Sequence, residues 1–167
     1  MIFRKAALND LRSMMDVVRQ AQASLKALGI DQWQNGYPSE EVICRDIGNG
    51  DAFVLTDDDI VIAMATVIFN NEPTYDVIYE GEWLSRGEFV VVHRMAVADC
   101  SRKKGVASII FHEVGMTAKS RNISSFKIDT HEGNIPMRNV LLKNGFKYCG
   151  KIFLKDGALR LAFEKIL

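Results

Sequence analysis

The sequence predicts a mixed α/β fold in which a largely antiparallel sheet of about seven strands is flanked by about four helices. Three observations carry that prediction. Apolar residues recur at helical spacing in four stretches, each opened or closed by a capping residue or a glycine. Between them lie short runs of alternating or continuous apolar residues, the pattern of strands. Two tight turns, Asp57-Asp58-Asp59 and Asp156-Gly157, join neighbouring strand patterns into antiparallel hairpins.

In order along the chain, Ile2 to Ala6 reads as a first strand. Asn9 is placed to cap a helix whose apolar stripe runs Leu11, Met14, Met15, Val18, Leu25 and Leu28, and Gly29 terminates it. Ser39 caps a second helix through Val42, Ile43 and Ile47, ended by Gly48-Asn49-Gly50. Ala52 to Thr56 and Ile60 to Phe69 form the first hairpin. Residues 70 to 87 are a polar, acidic insertion holding Tyr75, Tyr79 and Trp83, read by default as a solvated loop. Glu88 to Val97 contains Phe89-Val90-Val91-Val92, as expected of a central strand buried on both faces.

After Gly105, a helix places Val106, Ile109, Ile110, Val114 and Ala118 on one side. Ser125 to Thr130 alternates Phe126, Ile128 and Thr130 against Lys127 and Asp129, a strand with period two. Asn134 caps the last helix, with Pro136 in its first turn and Asn144-Gly145 at its end. Phe146 to Leu154 and Ala158 to Ile166 form the closing hairpin.

The 167 residues show no repeat, low-complexity tract or Pro/Ser linker, so residues 1–167 read as a single domain. An apolar share of 48% with 25% charged residues excludes a disordered chain. Lys plus Arg and Asp plus Glu both number 21, a balance that argues against a nucleic-acid partner. No run of about 18 apolar residues is present and the first residues lack a signal-peptide stretch, so no membrane partner is expected. Cys44, Cys100 and Cys149 are odd in number and far apart, and His93, His112 and His131 lack metal-motif spacing. The expectation is a cytoplasmic protein without a metal.

Chemistry concentrates in Val97-Ala98-Asp99-Cys100-Ser101-Arg102-Lys103-Lys104-Gly105-Val106-Ala107-Ser108, between a buried strand and a helix. The first N–H groups of a helix are unpaired and carry partial positive charge, so they bind anions. Gly105 and the small Ala107 let a ligand approach the backbone, while Arg102, Lys103 and Lys104 add charge at the rim. A pyrophosphate suits this loop; an ordinary strand-to-helix turn with a solvated basic run is the plainer reading. The spacing matches neither the P-loop nor the dinucleotide-binding glycine pattern.

Arg102-Lys103-Lys104-Gly105-Val106-Ala107 resembles the [RQ]-x-x-G-x-[GA] acyl-CoA motif of the GNAT superfamily of N-acetyltransferases. His93-Arg94-Met95-Ala96-Val97 is similar to that family's fourth strand. The run from Asn134-Ile135-Pro136-Met137 through Leu141 to Asn144-Gly145-Phe146 is similar to its second cofactor motif, and the element order fits along essentially the whole chain. The resemblance implies splayed fourth and fifth strands with the pantetheine arm of acetyl-CoA in the gap, on the backbone of Met95, Ala96 and Val97. It implies a pyrophosphate on the N–H groups from Arg102 to Ala107, with Ser108 following. It also implies Asn134 on the pantetheine, Met137 beside the thioester, and acetyl transfer to a primary amine of a small molecule or peptide. A homodimer formed by strand addition through the C-terminal hairpin is compatible with it.

An alkylamine must lose a proton before it attacks a thioester, and a positioned base contributes typically 10²- to 10⁴-fold. His93 lies four residues before Val97 on the cofactor-lining strand, and an imidazole of ordinary pKa, about 6.5, accepts a proton near neutrality. The plainer alternative is a buried histidine bonded to a neighbour. Glu88, at the start of this strand, is a second candidate that would relay a proton through water. Many family members place a Tyr five residues before the Phe of the second motif, to protonate the departing thiolate; here that position is Leu141, which cannot donate. Trp33 and Tyr37, in the loop after the first helix, form either an acceptor wall or a lid on the core. The intact anion loop and His93 favour catalysis, and Leu141 favours the competing reading, a non-catalytic acyl-CoA-binding or sensing module.

Overall fold

Hydrophobic alternation and helix capping place the elements within a residue or two of their observed limits. The computed structural model describes residues 1–70 and 72–167. Among these, the strands are β1 (Ile2–Lys5), β2 (Ala52–Asp57), β3 (Ile60–Phe69), β4 (Phe89–Val97), β5 (Ser125–Thr130), β6 (Lys147–Phe153) and β7 (Leu159–Ile166). They form a sheet in the order β1-β2-β3-β4-β5-β7-β6. The helices are α1 (Leu11–Ala27), α2 (Glu40–Asn49), α3 (Val106–Ser120) and α4 (Ile135–Lys143). β1–β2, β2–β3, β5–β7 and β6–β7 pair antiparallel and β4–β5 pairs parallel, the mixed sheet that the sequence predicts. Among the described residues no helix is long and apolar enough to cross a membrane. The contacts divide the chain into two units, Met1–Val67 with Arg94–Ile110, and Ile68–His93 with Phe111–Leu167.

In the first unit, Met14, Val17 and Val18 of α1 and Ile43 of α2 pack with Ala52, Val54, Met64 and Ala96 of the strands. The start of α1 differs from the sequence expectation. A 3-10 turn, Leu8–Asp10, precedes it, and the capping bond is made by the Asp10 carboxylate to the Ala7 N–H at 2.8 Å rather than by Asn9. The same carboxylate accepts two bonds from the Arg4 guanidinium, at 2.7 and 2.9 Å. An ionised side chain makes the stronger cap and recruits a cation that a neutral Asn would not. Ser39 caps α2 as expected, accepting from the Val42 N–H at 3.3 Å. Asp58 and Asp59, both at positive φ, form the two-residue turn between β2 and β3.

In the second unit, β5 pairs with β7 from Ser125↔Ile166 to Thr130↔Leu161, and β4 pairs with β5 from Phe89↔Ser125 to Val91↔Lys127. One face of β5 sends Phe126 against Phe111 of α3 and Phe146, with ring centroids 5.0–5.8 Å apart. The other face carries Ser125, Lys127 and Asp129, opposite Glu164 and Ala162 of β7. Asn134 caps α4 as expected, its Oδ1 accepting from the Met137 N–H at 3.2 Å. At the other end of α4 the Phe146 N–H donates to the Leu141 carbonyl at 3.1 Å. That bond brings two fully buried apolar side chains together, as helix ends of this type do.

Residues 72–85 do not form a solvated loop. They make a strap over the polar face of β5 and β7. Tyr79 exchanges both backbone hydrogen bonds with Lys151 of β6, each 2.8 Å. The approach requires glycine on both sides: a Cβ on Gly81 would stand 2.0 Å from the Cys149 carbonyl oxygen, and one on Gly150 2.6 Å from that of Tyr79. The fully buried Glu164 carboxylate accepts from the Leu84 N–H at 2.6 Å, from the Ser125 hydroxyl at 2.6 Å and from the Ser85 hydroxyl. The Trp83 indole N–H donates to the Tyr75 carbonyl at 2.9 Å. Lys127 places its ammonium over the Trp83 and Phe89 rings, 4.4 and 4.5 Å from their centroids.

Candidate active site

His93 and Arg94 are consecutive on β4. Arg94 sits at φ +48°, a left-handed conformation that is uncommon for a side-chain-bearing residue and interrupts the regular alternation of the strand. Its guanidinium over-determines that backbone. Nε donates to Asp46 Oδ2 at 2.6 Å and to the Thr66 hydroxyl at 3.2 Å, Nη2 donates to Asp46 Oδ1 at 3.1 Å, and Nη1 donates to the Tyr37 hydroxyl at 2.8 Å. Every nitrogen of the guanidinium has a partner, which makes this cluster structural.

His93 belongs to the second unit, where the strap meets β4 and β5. Its Nε2 lies 2.6 Å from Glu72 Oε2 and its Nδ1 lies 3.9 Å from Asp129 Oδ1. Burial pushes the Glu72 carboxyl up, but hydrogen bonds from His93 and Thr74 outweigh it and hold the group down at about 2. Glu72 is therefore ionised near neutrality and only accepts, so Nε2 carries the hydrogen in that bond. In the neutral imidazole the lone pair is then on Nδ1, facing Asp129 across a gap too wide for a direct hydrogen bond. Burial raises the Asp129 carboxyl above its ordinary range, against the pull of His93 and of the Tyr75 hydroxyl, which donates to Oδ1 at 2.7 Å. The Tyr75 phenol is itself pushed well up, by burial and by that carboxylate. The His93 side chain is 18% exposed.

The anion loop lies in the first unit. Asp99–Ser101 form a 3-10 turn, Arg102 is extended, Lys103 stands at φ +62° and Gly105 at φ +77°, where α3 begins. A Cβ on Gly105 would meet nothing within 4 Å, so the space over the first turn of α3 is open. Among the described residues no hydrogen bond engages the N–H groups from Lys103 to Ala107; the first amide bonded back is Ser108, to the Gly105 carbonyl at 2.9 Å. Lys103 and Lys104 are exposed. Arg102 instead ties the loop down: Nη1 donates to the Ser24 hydroxyl of α1 at 2.8 Å, Nη2 pairs with Asp99 at 2.8 Å and Nε reaches the Val97 carbonyl at 3.4 Å.

The profile of the Acetyltransferase (GNAT) family matches residues 21–146. The chain belongs to this family. An acetyltransferase of the GNAT family from Streptococcus agalactiae is 36% identical to it, over 99% of this chain and 95% of that one, with a TM-score of 0.90. A GNAT-family acetyltransferase from Listeria monocytogenes (17% identity, 99% and 94% covered, TM-score 0.74) shares the fold. So does a ribosomal-protein-alanine N-acetyltransferase from Brucella melitensis (17% identity, all of both chains covered, TM-score 0.68). No curated protein matches the chain.

Acetyl transfer is the reaction of the GNAT family, and acetyl-CoA is the donor its members generally use. The open, amide-lined turn at Gly105 fits the pyrophosphate of that donor. The other GNAT-motif positions are placed as follows. Ala96 is buried in the first unit's core and offers only backbone, while Met95 and Val97 are half-buried beside it on β4. Asn134 has spent its Oδ1 on the α4 cap, leaving its amide nitrogen as donor, and Met137 is half-buried in the first turn of α4. Leu141, where many GNAT proteins carry Tyr, is wholly buried. Trp33 packs against the core of the first unit, and the Tyr37 hydroxyl is taken by Arg94. Glu88 is exposed just before β4. Sequence reasoning missed Asp129, Tyr75 and the engagement of Glu72. Alternation on β5 already put Asp129 on the polar face, but nothing local pairs Glu72 with a residue 21 positions away.

Proposed function

We propose that this GNAT protein acetylates a primary amine with acetyl-CoA as donor, and that His93 removes the amine proton. The reading is supported above all by the His93 geometry, in which Nε2–H is held by the ionised Glu72 while Nδ1 faces Asp129 at 3.9 Å. A nitrogen bearing N–H groups can bridge that gap by donating to both Nδ1 and the Asp129 carboxylate. Nδ1 then takes the proton, and Glu72 stabilises the imidazolium through its 2.6 Å bond, the role that an orienting carboxylate plays toward a histidine base. Tyr75 holds Asp129 in place. Bound acetyl-CoA supplies the activated acetyl group, with the amides of Lys103 to Ala107 and the charges of Lys103 and Lys104 holding its pyrophosphate. Asn134 and the backbone of Met95 to Val97 hold its pantetheine arm. The amine belongs to a small molecule or a peptide.

Thiol release from acetyl-CoA across an amine panel tests the reading. His93→Gln keeps a donor for Glu72 but cannot accept the proton, and kcat is expected to fall by about 10²- to 10⁴-fold with little change in acetyl-CoA affinity. A folded His93→Gln enzyme of unchanged kcat would remove His93 from the mechanism. Acetyl-CoA binding without thiol release on any amine would instead support a non-catalytic acyl-CoA-binding module. Gly105→Glu places bulk and negative charge over the amides at a backbone that disfavours any side chain by about 1–2 kcal/mol. Calorimetry is expected to show acetyl-CoA binding abolished while the melting transition persists.

A further inference from the structure

The face of the sheet beneath the strap carries a charged group that the chemistry above leaves unused. Arg160 lies on β7 opposite Ile152 of β6, two residues before Ala162, which pairs with Asp129. Paired residues share a face, as do residues two apart along a strand, so Arg160 stands on the face of Asp129. His93 is on that face too, two residues beyond Val91, the partner of Lys127. Arg160 is only 8% exposed. Its Nη1 donates to the Leu159 carbonyl at 2.8 Å, whereas its Nε is enclosed and meets no acceptor. Among the described residues Nη2 also lacks a hydrogen bond, and no carboxylate comes within ion-pair distance; Asp129 acts on Arg160 only through space.

A guanidinium withdrawn from water without a counter-charge in contact is costly. The edge left without an acceptor here, Nε with Nη2, is one that grips a carboxylate through two parallel hydrogen bonds. We propose that Arg160 binds a carboxylate of the acceptor, which makes the acceptor a small amine of the amino-acid type. The proposal rests on the amine-acetylating reading. Glu72 and Asp129 receive the nitrogen end beside His93, and Arg160 receives the carboxylate end further along the same face. A simple diamine or polyamine would bring a cation against Arg160 and is disfavoured by the same arrangement.

Two measurements test this. In the first, the common α-amino acids, each paired with its carboxamide, are compared as acceptors by thiol release. The best acids are expected to exceed their amides about 10- to 100-fold in kcat/KM, the scale of a charged hydrogen-bonded contact. Arg160→Gln is expected to bring the acids down to the level of the amides and leave the amides unchanged. In the second, N-acetyl amino acids and N-acetyl carboxamides are titrated calorimetrically in the presence of CoA, where no turnover is needed. The acids are expected to bind at least about tenfold tighter, a difference that Arg160→Gln erases.

Arg160→Lys keeps the charge without the fork and is expected to fall between the two; it carries the test if Arg160→Gln does not fold. Acids and amides that bind alike, or wild-type protein that binds neither, would overturn the carboxylate assignment. Discrimination in binding with no acetylation of any amine would overturn the amine-acetylating reading and leave the carboxylate site standing.

Discussion

Arg94 and His93 are adjacent in sequence, and each meets carboxylates, yet their surroundings are built to opposite ends. Around Arg94, Asp46, Thr66 and Tyr37 occupy every guanidinium nitrogen. Around His93 one ring nitrogen is fixed by Glu72, and the other faces Asp129 across 3.9 Å. A polar cluster with all its bonds made rigidifies a fold; one that holds a group at one end and leaves the other unclaimed is set up to exchange a proton. Completeness of hydrogen bonding, rather than burial or charge, separates the two.

The largest expected effect that separates them is on stability. Arg94→Met leaves Asp46 buried without its cation and is expected to cost about 3–5 kcal/mol in urea unfolding. His93→Gln, which retains a donor to Glu72, is expected to change stability by less than about 1 kcal/mol while activity collapses. Equal stability losses in the two variants would erase the distinction.

A somewhat smaller effect depends on pH. The folded Glu72 carboxyl is held at about 2, below its ordinary value of 4.5, so its contribution is complete above about 4.5 and is lost as pH falls toward 2. That contribution is at most about 3 kcal/mol. The stability difference between wild type and Glu72→Gln is expected to shrink as pH falls from about 4.5 toward 2. A difference that fails to shrink between about pH 4.5 and 2 would show that Glu72 is not held ionised by His93 and Thr74.

Smallest is the outer bond of the Arg94 cluster. Tyr37→Phe removes one hydrogen bond from a half-exposed hydroxyl and is expected to cost about 0.5–1.5 kcal/mol with kcat unchanged. A raised acceptor KM in this variant, at unchanged stability, would move Tyr37 from the structural cluster to the acceptor wall.

The strands and helices were legible because each is specified locally. Period-two alternation marked β5, Ser39 and Asn134 marked the starts of α2 and α4, and Asp156-Gly157 marked the last hairpin. The start of α1 was not, because its cap depends on Arg4 reaching from β1 to Asp10. The strap was misread for the same reason. Its acidic residues look solvated in sequence, and only contacts with β4, β5, β6 and β7 show that Glu72 meets His93 and that Tyr75 meets Asp129. Leu141 was recognised as unable to act as an acid; the bond between Leu141 and Phe146 at the end of α4 gives the position a packing role instead.

The strap has an optical consequence. The chain contains two tryptophans, Trp33 and Trp83. In a Trp33→Phe background, Trp83 becomes the sole indole, its N–H bonded to the Tyr75 carbonyl and its ring beneath the Lys127 ammonium. The Lys127 contact, which crosses from the strap to β5, ends if residues 72–85 lift from the sheet. The emission of that single chromophore therefore reports whether the segment that delivers Glu72 and Tyr75 to His93 and Asp129 is seated, and ligand titrations can be followed by light alone.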